Sequence, residues 1–275
     1  MNWLSSTTAT HSTPPTRVTR ILTPIAVAAL ALLAPIFPSA HAEEAMRFER
    51  RTVTVDGVLY RYMVAIPEGW TKDRAWPTVL FLHGAGERGS RGKAPARVGL
   101  GPRLRTHPWP AVVVFPQCPK SSFWPDPQML AMASAALEAA ILEFHGDRKR
   151  LYLTGISMGG YGAIQLAAGS PGKFAAVVPI CGGVLPPWID PAERARNAVN
   201  AYADVAKRLG QTPIWLFHGD ADKAIPVSES RQLAQALRDA GGNVRYTEYP
   251  GLGHNSWDAA YAEETLYQWL LKQSI

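Results

Sequence analysis

Six short runs dominate what this chain can fold into: "PTVLFLHG", "AVVVFPQ", "RLYLTGIS", "FAAVVPICGG", "PIWLFHGD" and "VRYTEYPG". Each is mostly apolar and rich in β-branched or aromatic residues, without strict alternation, as strands covered on both faces are. Helical patterns separate several of them, at Met129–Phe144, Gly159–Ala168, Pro191–Leu209, Ser228–Ala240 and Trp257–Lys272. Strands alternating with helices in this way predict a mostly parallel sheet with helices on both faces, an α/β sandwich. Upstream, Phe48–Val55 and Val58–Ile66 do alternate and flank Asp56-Gly57, a hairpin turn, so an antiparallel hairpin leads into the sheet and brings it to about eight strands. A chain of 275 residues with 47% apolar content fills one such domain.

The N-terminus follows other rules. Residues 1–17 are polar and free of acids, Arg17 and Arg20 precede an apolar stretch from Ile21 to Phe37, and Ala40 and Ala42 form a small-x-small cleavage signal. This reads as a secretory signal peptide over 1–42, with the catalytic domain over 43–275 and the mature protein secreted or periplasmic. Pro24, Pro35 and Pro38, in a span short of about 20 apolar residues, argue against a stable membrane anchor. The leader carries two arginines and no acid, so its removal leaves 26 basic against 22 acidic residues, a mild +4. Arg88, Arg91, Lys93, Arg97, Arg103 and Arg105 cluster in one irregular segment without interleaved aromatics. That cluster is a solvated loop or a surface for acidic polymers; nucleic-acid binding is not indicated. Cys118 and Cys181 show no metal-ligand spacing, so no metal site is expected. Export permits a disulfide between them, though two cysteines on separate strands are more often buried and unpaired.

Chemistry in open parallel sheets gathers at the carboxyl ends of the strands. "GISMGGYG" puts Ser157 there, directly after one strand and before a helix, with Gly155 and Gly159 two residues to either side. The pentapeptide is weak evidence by itself, but strand–turn–helix is the context a nucleophile elbow requires. Such a turn exposes the hydroxyl and sets the Met158 N–H at a helix start, where the dipole favours an anion. A serine hydroxyl needs a base, and the base an orienting acid. Of seven histidines, His11 and His41 leave with the leader, and His107 and His145 fall in a loop and at a helix end. His83 and His218 each precede a glycine at a strand end, a position for structural hydrogen bonds. His254, on the loop after the last strand and just before a helix that Ser256 would cap, is the candidate base. The acid lies after "PIWLFH": Asp222 is favoured over Asp220, which becomes a turn residue, with Glu229 a distant third. "GAGERG", Gly84–Gly89, matches a dinucleotide fingerprint, but no helix opens inside it and the next strand ends in Gln117 rather than an acid. A glycine loop after a strand also lets backbone N–H groups face an oxyanion.

"FLHGAGERG", "FPQCP", "GISMGGYG", "VPICGG", "HGDADKAIP" and "GHNSWDAAY", in that order, resemble secreted α/β-hydrolases. That group includes feruloyl and acetyl-xylan esterases, polyhydroxyalkanoate depolymerase relatives, and phospholipase/carboxylesterase-like proteins also labelled predicted peptidases. The resemblance implies the α/β-hydrolase fold, Ser157 as nucleophile, Asp222 as acid, His254 as base, and the N–H groups of Met158 and Ala85 as the oxyanion hole. It implies a serine ester hydrolase that needs no cofactor, with a serine peptidase of the same fold as the alternative. About 30 residues separate "VPICGG" from "PIWLFHG", too few for a large apolar lid. Phe123 and Trp124 in "SSFWPDP", and Trp257 behind the histidine, are candidate walls of an open site for short-acyl or aryl esters, free or on a polymer. A dinucleotide oxidoreductase and a non-catalytic binding module are the remaining alternatives; the module would usually lack a triad residue.

Overall fold

The computed structural model describes residues 46–197 and 200–275. Eight strands, β1 (Arg47–Val55), β2 (Val58–Ile66), β3 (Trp76–Leu82), β4 (Val112–Pro116), β5 (Gly146–Ile156), β6 (Ala176–Ile180), β7 (Ile214–Gly219) and β8 (Val244–Tyr249), join one sheet. Its order is β1-β2-β4-β3-β5-β6-β7-β8. β1 pairs with β2, and β2 with β4, antiparallel; every later pairing is parallel. The helices are α1 (Leu100–Thr106), α2 (Pro127–Glu143), α3 (Met158–Ala168), α4 (Pro191–Asn197), α5 (Ala201–Leu209), α6 (Ser228–Asp239), α7 (Trp257–Ala262) and α8 (Glu264–Leu271).

The unbroken apolar runs follow from the layers. In β3, Leu80 and Leu82 pack into one buried cluster with α2, α3, α5 and α6, while Val79 and Phe81 pack into the opposite cluster with α1, α7 and α8. The same division splits Val112 and Val114 from Val113 and Phe115 in β4, and Leu153 from Tyr152 in β5. Side chains alternate sides with period two, so a strand covered on both faces must be apolar at every position. β1 is an edge with one wet face, and its exposure alternates as its sequence does.

Several local expectations are corrected. The pattern Pro191–Leu209 is two helices, α4 and α5, with Asn200 out of helical geometry (φ −131°, ψ 2°) before the second. Trp257–Lys272 also splits, at Glu263, whose backbone is extended and whose carboxylate accepts the Tyr249 hydroxyl at 3.2 Å. α1 lacks a sequence signal: Gly101 and Pro102 sit in its first turn, and two leucines carry its apolar face. Arg103 and Arg105 lie on it and leave the basic cluster: Arg105 bonds the Ala96 and Gly101 carbonyls and covers the Phe48 ring. Cys118 and Cys181 are both buried and free. The signal-peptide reading of 1–42 lies outside the described residues. Among the described residues no helix is long and apolar enough to cross a membrane.

Candidate active site

The turn after β5 is built from close contacts. A Cβ on Gly155 would strike the Gly159 carbonyl, and one on Gly159 the Leu82 carbonyl, so neither position admits a side chain. Between them Ser157 holds φ 53° and ψ −119°, outside the regions a non-glycine residue normally occupies. The strain is held by hydrogen bonds on both sides: Ser157 N–H donates to Ile180 O at 2.9 Å, and Gly160 N–H donates to Ser157 O at 2.8 Å. Met158 opens α3, and its N–H has no earlier turn to bond to.

Two other strand ends deliver the partners. Ser157 Oγ lies 2.8 Å from His254 Nε2, and His254 Nδ1 lies 2.7 Å from Asp222 Oδ2. Asp222 Oδ1 accepts the N–H groups of Ala224 and Ile225 at 2.8 and 2.9 Å. Burial pushes the Asp222 carboxyl up, but the bond from His254 and those two amides outweigh it, so its pKa ends below the usual carboxylate range. Asp222 is therefore a carboxylate at neutral pH and accepts from His254 Nδ1–H, which leaves Nε2 facing the Ser157 hydroxyl. Asp220, by contrast, is exposed and accepts Gly251 N–H at 2.6 Å, tying the loop after β7 to the turn after β8 rather than closing a turn of its own. Glu229 is buried at the start of α6, where it accepts the Val184 and Leu185 amides and pairs with Arg194.

Behind the aspartate, His218 has the structural hydrogen-bonding role expected of it. His218 Nε2 lies 3.2 Å from Asp222 Oδ2 and 3.1 Å from Ile225 O, and its Nδ1 is 2.7 Å from the Ser230 hydroxyl. Burial lowers the His218 pKa against the pull of Ile225 O and Asp222, so the ring is neutral. Nε2–H then points at the two oxygens and Nδ1 accepts from Ser230, so His218 backs the Asp222 carboxylate. A histidine four residues before the aspartate was the available signal. His83 has the structural role expected of it: Cys118 N–H donates to Nε2 at 3.0 Å, Nδ1 faces Gly84 O at 2.6 Å, and burial pushes it down to about 4. Cys181, beside the elbow, is buried with φ 40°. Its sulfur and the ligand atoms of Asp222 and His254 lie within 4.8 Å of one another. Burial keeps that thiol protonated, and the other two groups already bond each other. Ser256 stands at the start of α7 but does not cap it; its side chain is buried.

Around the rim, Ala85 begins a 3₁₀ turn, Ala85–Glu87. A Cβ on the preceding Gly84 would lie 3.7 Å from Ser157 Cβ, so this loop touches the elbow. Gln117 fastens the loop: its Nε2 donates to Glu87 O at 2.7 Å and its Oε1 accepts Gly92 N–H at 2.5 Å. Trp124 is not a pocket wall. It is 0% exposed, its Nε1 donates to His83 O at 2.9 Å, and it packs in the core against the helix that follows Ser157. The tryptophan side chain satisfies its one donor inside, so nothing draws it to the surface. Phe123 does lie partly open, stacked on Trp188 at 5.2 Å, and Trp188 meets Tyr161 edge-on. Trp257 is partly exposed and edge-on to His254, ring centroids 5.4 Å apart.

Comparison with known proteins agrees with this architecture. A stretch of 58 residues is 34% identical to acyl-protein thioesterase 1 of Gibberella zeae, covering 20% of this chain and 25% of that protein. A thermostable esterase of known structure superposes with TM-score 0.68 at 34% identity, over 83% of this chain and 63% of its own. A ferulic acid esterase matches at TM-score 0.64 and 18% identity, over 83% of this chain and 99% of its own, a likeness of fold alone. The chain thus spans a quarter of that curated relative and less than two thirds of the thermostable esterase. The fold is that of the α/β-hydrolases. Residues 133–274, more than half of the chain and the part that carries Ser157, Asp222 and His254, match the family profile throughout, and the chain belongs to the prolyl oligopeptidase family.

Proposed function

We propose that the protein is a serine ester hydrolase that cleaves short-acyl or aryl esters, free or on a polymer. The observation that carries this reading is the unbroken relay from Ser157 Oγ through His254 to Asp222, at 2.8 and 2.7 Å, behind a strained serine. In this mechanism Ser157 Oγ attacks the ester carbonyl as its proton passes to His254 Nε2. Asp222 stabilises the imidazolium through Nδ1–H. The Met158 and Ala85 amides take the oxyanion, where one such donor contributes about 3 kcal/mol. His254 then protonates the leaving alcohol, and water repeats the cycle on the acyl-enzyme.

Trp257, edge-on to His254, and Phe123, stacked on Trp188, would be the aromatic walls for a small or planar acyl group. The leader at 1–42 is the basis for placing the enzyme outside the cytoplasm. Membership of a peptidase family favours a second reading, amide hydrolysis by the same relay. Purified protein assayed on p-nitrophenyl acetate, butyrate and palmitate and on matching anilides tests both. Turnover of the short esters, falling toward palmitate and absent on the anilides, supports the esterase. Faster turnover of the anilides makes it a peptidase.

A further inference from the structure

Against the loop after β3 lies a cavity of about 1080 Å³, open to solvent. Five arginines and two lysines line it and no carboxylate does. They converge from distant parts of the chain: Arg50 and Arg61 from the β1–β2 hairpin, Arg88, Arg91, Lys93 and Arg97 from the segment after β3, and Lys120 from beyond β4. Among the described residues none of the seven forms a salt bridge. Seven unneutralised cations exceed the formal net charge of the whole chain, +6, so the rest of the molecule is close to balanced. Like charges held this close repel one another, and a bound polyanion relieves the repulsion.

The geometry points to a subsite for a carboxylate-bearing polysaccharide, an ester-carrying polyuronate, whose chain lies on these cations while one of its ester groups reaches Ser157. It rests on the ester-hydrolase reading above. Arg88 joins the two places: it lines the cavity, its Nε donates to Ala85 O at 3.1 Å, its Nη1 donates to Lys120 O at 3.2 Å, and it covers the Phe123 ring. Ala85 is the residue after Gly84, where an added Cβ would lie 3.7 Å from Ser157 Cβ. The rim is fixed rather than loose, because Gln117 holds Gly92 and Glu87, and Arg61 bonds Ser90 O at 3.3 Å. Guanidinium groups match carboxylates in a bidentate fork. No aromatic side chain lines the cavity, which disfavours a nucleic-acid strand, whose bases need stacking platforms.

The test separates binding from catalysis. Full-length Ser157→Ala protein is run in affinity electrophoresis against sodium polygalacturonate, neutral xylan and poly(dT), at two salt concentrations. Retention by polygalacturonate that weakens with salt, with little by xylan or poly(dT), is expected. The triple variant R91Q/K93Q/K120Q should bind about tenfold more weakly, the loss of three exposed charge contacts. In the Ser157 background that same triple variant should keep kcat/KM on p-nitrophenyl acetate, while KM for acetylated polygalacturonate rises about tenfold. No retention by polygalacturonate, or equal retention by poly(dT), overturns the subsite even if the short esters are hydrolysed. Retention by a protein that hydrolyses no ester supports the subsite and removes the esterase reading instead.

Discussion

The relay at the ends of β5, β7 and β8 and the basic cavity at the β1–β2–β4 edge handle charge in opposite ways. In the relay Asp222 receives hydrogen bonds from His254, Ala224 and Ile225 and a contact from His218, and it is 9% exposed. In the cavity seven cations face solvent and one another with no acid among them. The first arrangement suits a group whose position must hold within tenths of an ångström, because low dielectric strengthens each bond. The second suits contact with a long, hydrated partner, where many weak attractions act together and salt weakens them all. Substitutions in the two regions should therefore differ in kind: rate losses of orders of magnitude in the relay, and substrate-dependent KM changes at the cavity.

The largest effect is expected at Ser157. Ser157→Ala should lower kcat on p-nitrophenyl acetate by about 10⁶-fold, and His254→Ala by nearly as much, since the relay acts as a unit. Thermal unfolding should show both variants folded. A Ser157→Ala protein retaining a tenth of the activity would end the contrast between the two regions. Next, Asp222→Asn should cost about 10⁴-fold in kcat by admitting the wrong imidazole tautomer. Asp220→Asn, which only loosens the bond to Gly251, should keep kcat within about tenfold. Parallel single-turnover measurements rank the two aspartates, and the reverse ranking moves the role to Asp220.

His218 sharpens the comparison from within the relay. His218→Leu removes the donor that faces Ile225 O and Asp222 Oδ2 and leaves the Ser230 hydroxyl only its bond to Gly182 O, and should cost about 1–3 kcal/mol in urea unfolding. Its kcat should fall, but by less than that of Asp222→Asn. Unchanged stability would mean that the 2.7 Å contact to Ser230 does not hold the ring. The smallest effect is expected at Glu87, between the two regions. Burial raises its pKa above the ordinary 4.5, against the pull of its own amide and that of Gly84. A carboxyl whose folded pKa is raised binds its proton more tightly in the native state, so stability falls as pH rises from 4.5 through the folded value. Glu87→Gln should therefore be more stable than the parent at pH 7 and equal to it below pH 4. A pH series of melting temperatures checks this, and a lower melting temperature for the variant at pH 7 would refute it.

How far the sequence could be read differs between the same two regions. Ser157 was legible because its demands are local: small residues two places to either side, a strand before and a helix after. The contact between His254 and Asp222 is expected from their order after the last strands, although Asp222 and Asp220, two residues apart in one loop, differ only in what they meet in space. The place of Trp124 is not legible in the sequence, because a tryptophan in a proline-rich loop reads the same whether it turns outward or, as here, donates to His83 O inside the core. Trp188 had no signal until the chain folded it against Phe123 and Tyr161.

By itself the sequence determined the eight strands, the layers that bury them, and the serine turn, because periodicity of two or 3.6 residues and the size of a side chain act over a few neighbours. Only the tertiary structure decided which aspartate meets the histidine, that His218 stands behind it, and that Arg50 and Arg61 join Arg88 and Lys93. Those outcomes depend on the strand order β1-β2-β4-β3-β5-β6-β7-β8, which brings segments distant in the chain side by side. They depend as well on burial, which sets the protonation of each group once its neighbours are in place.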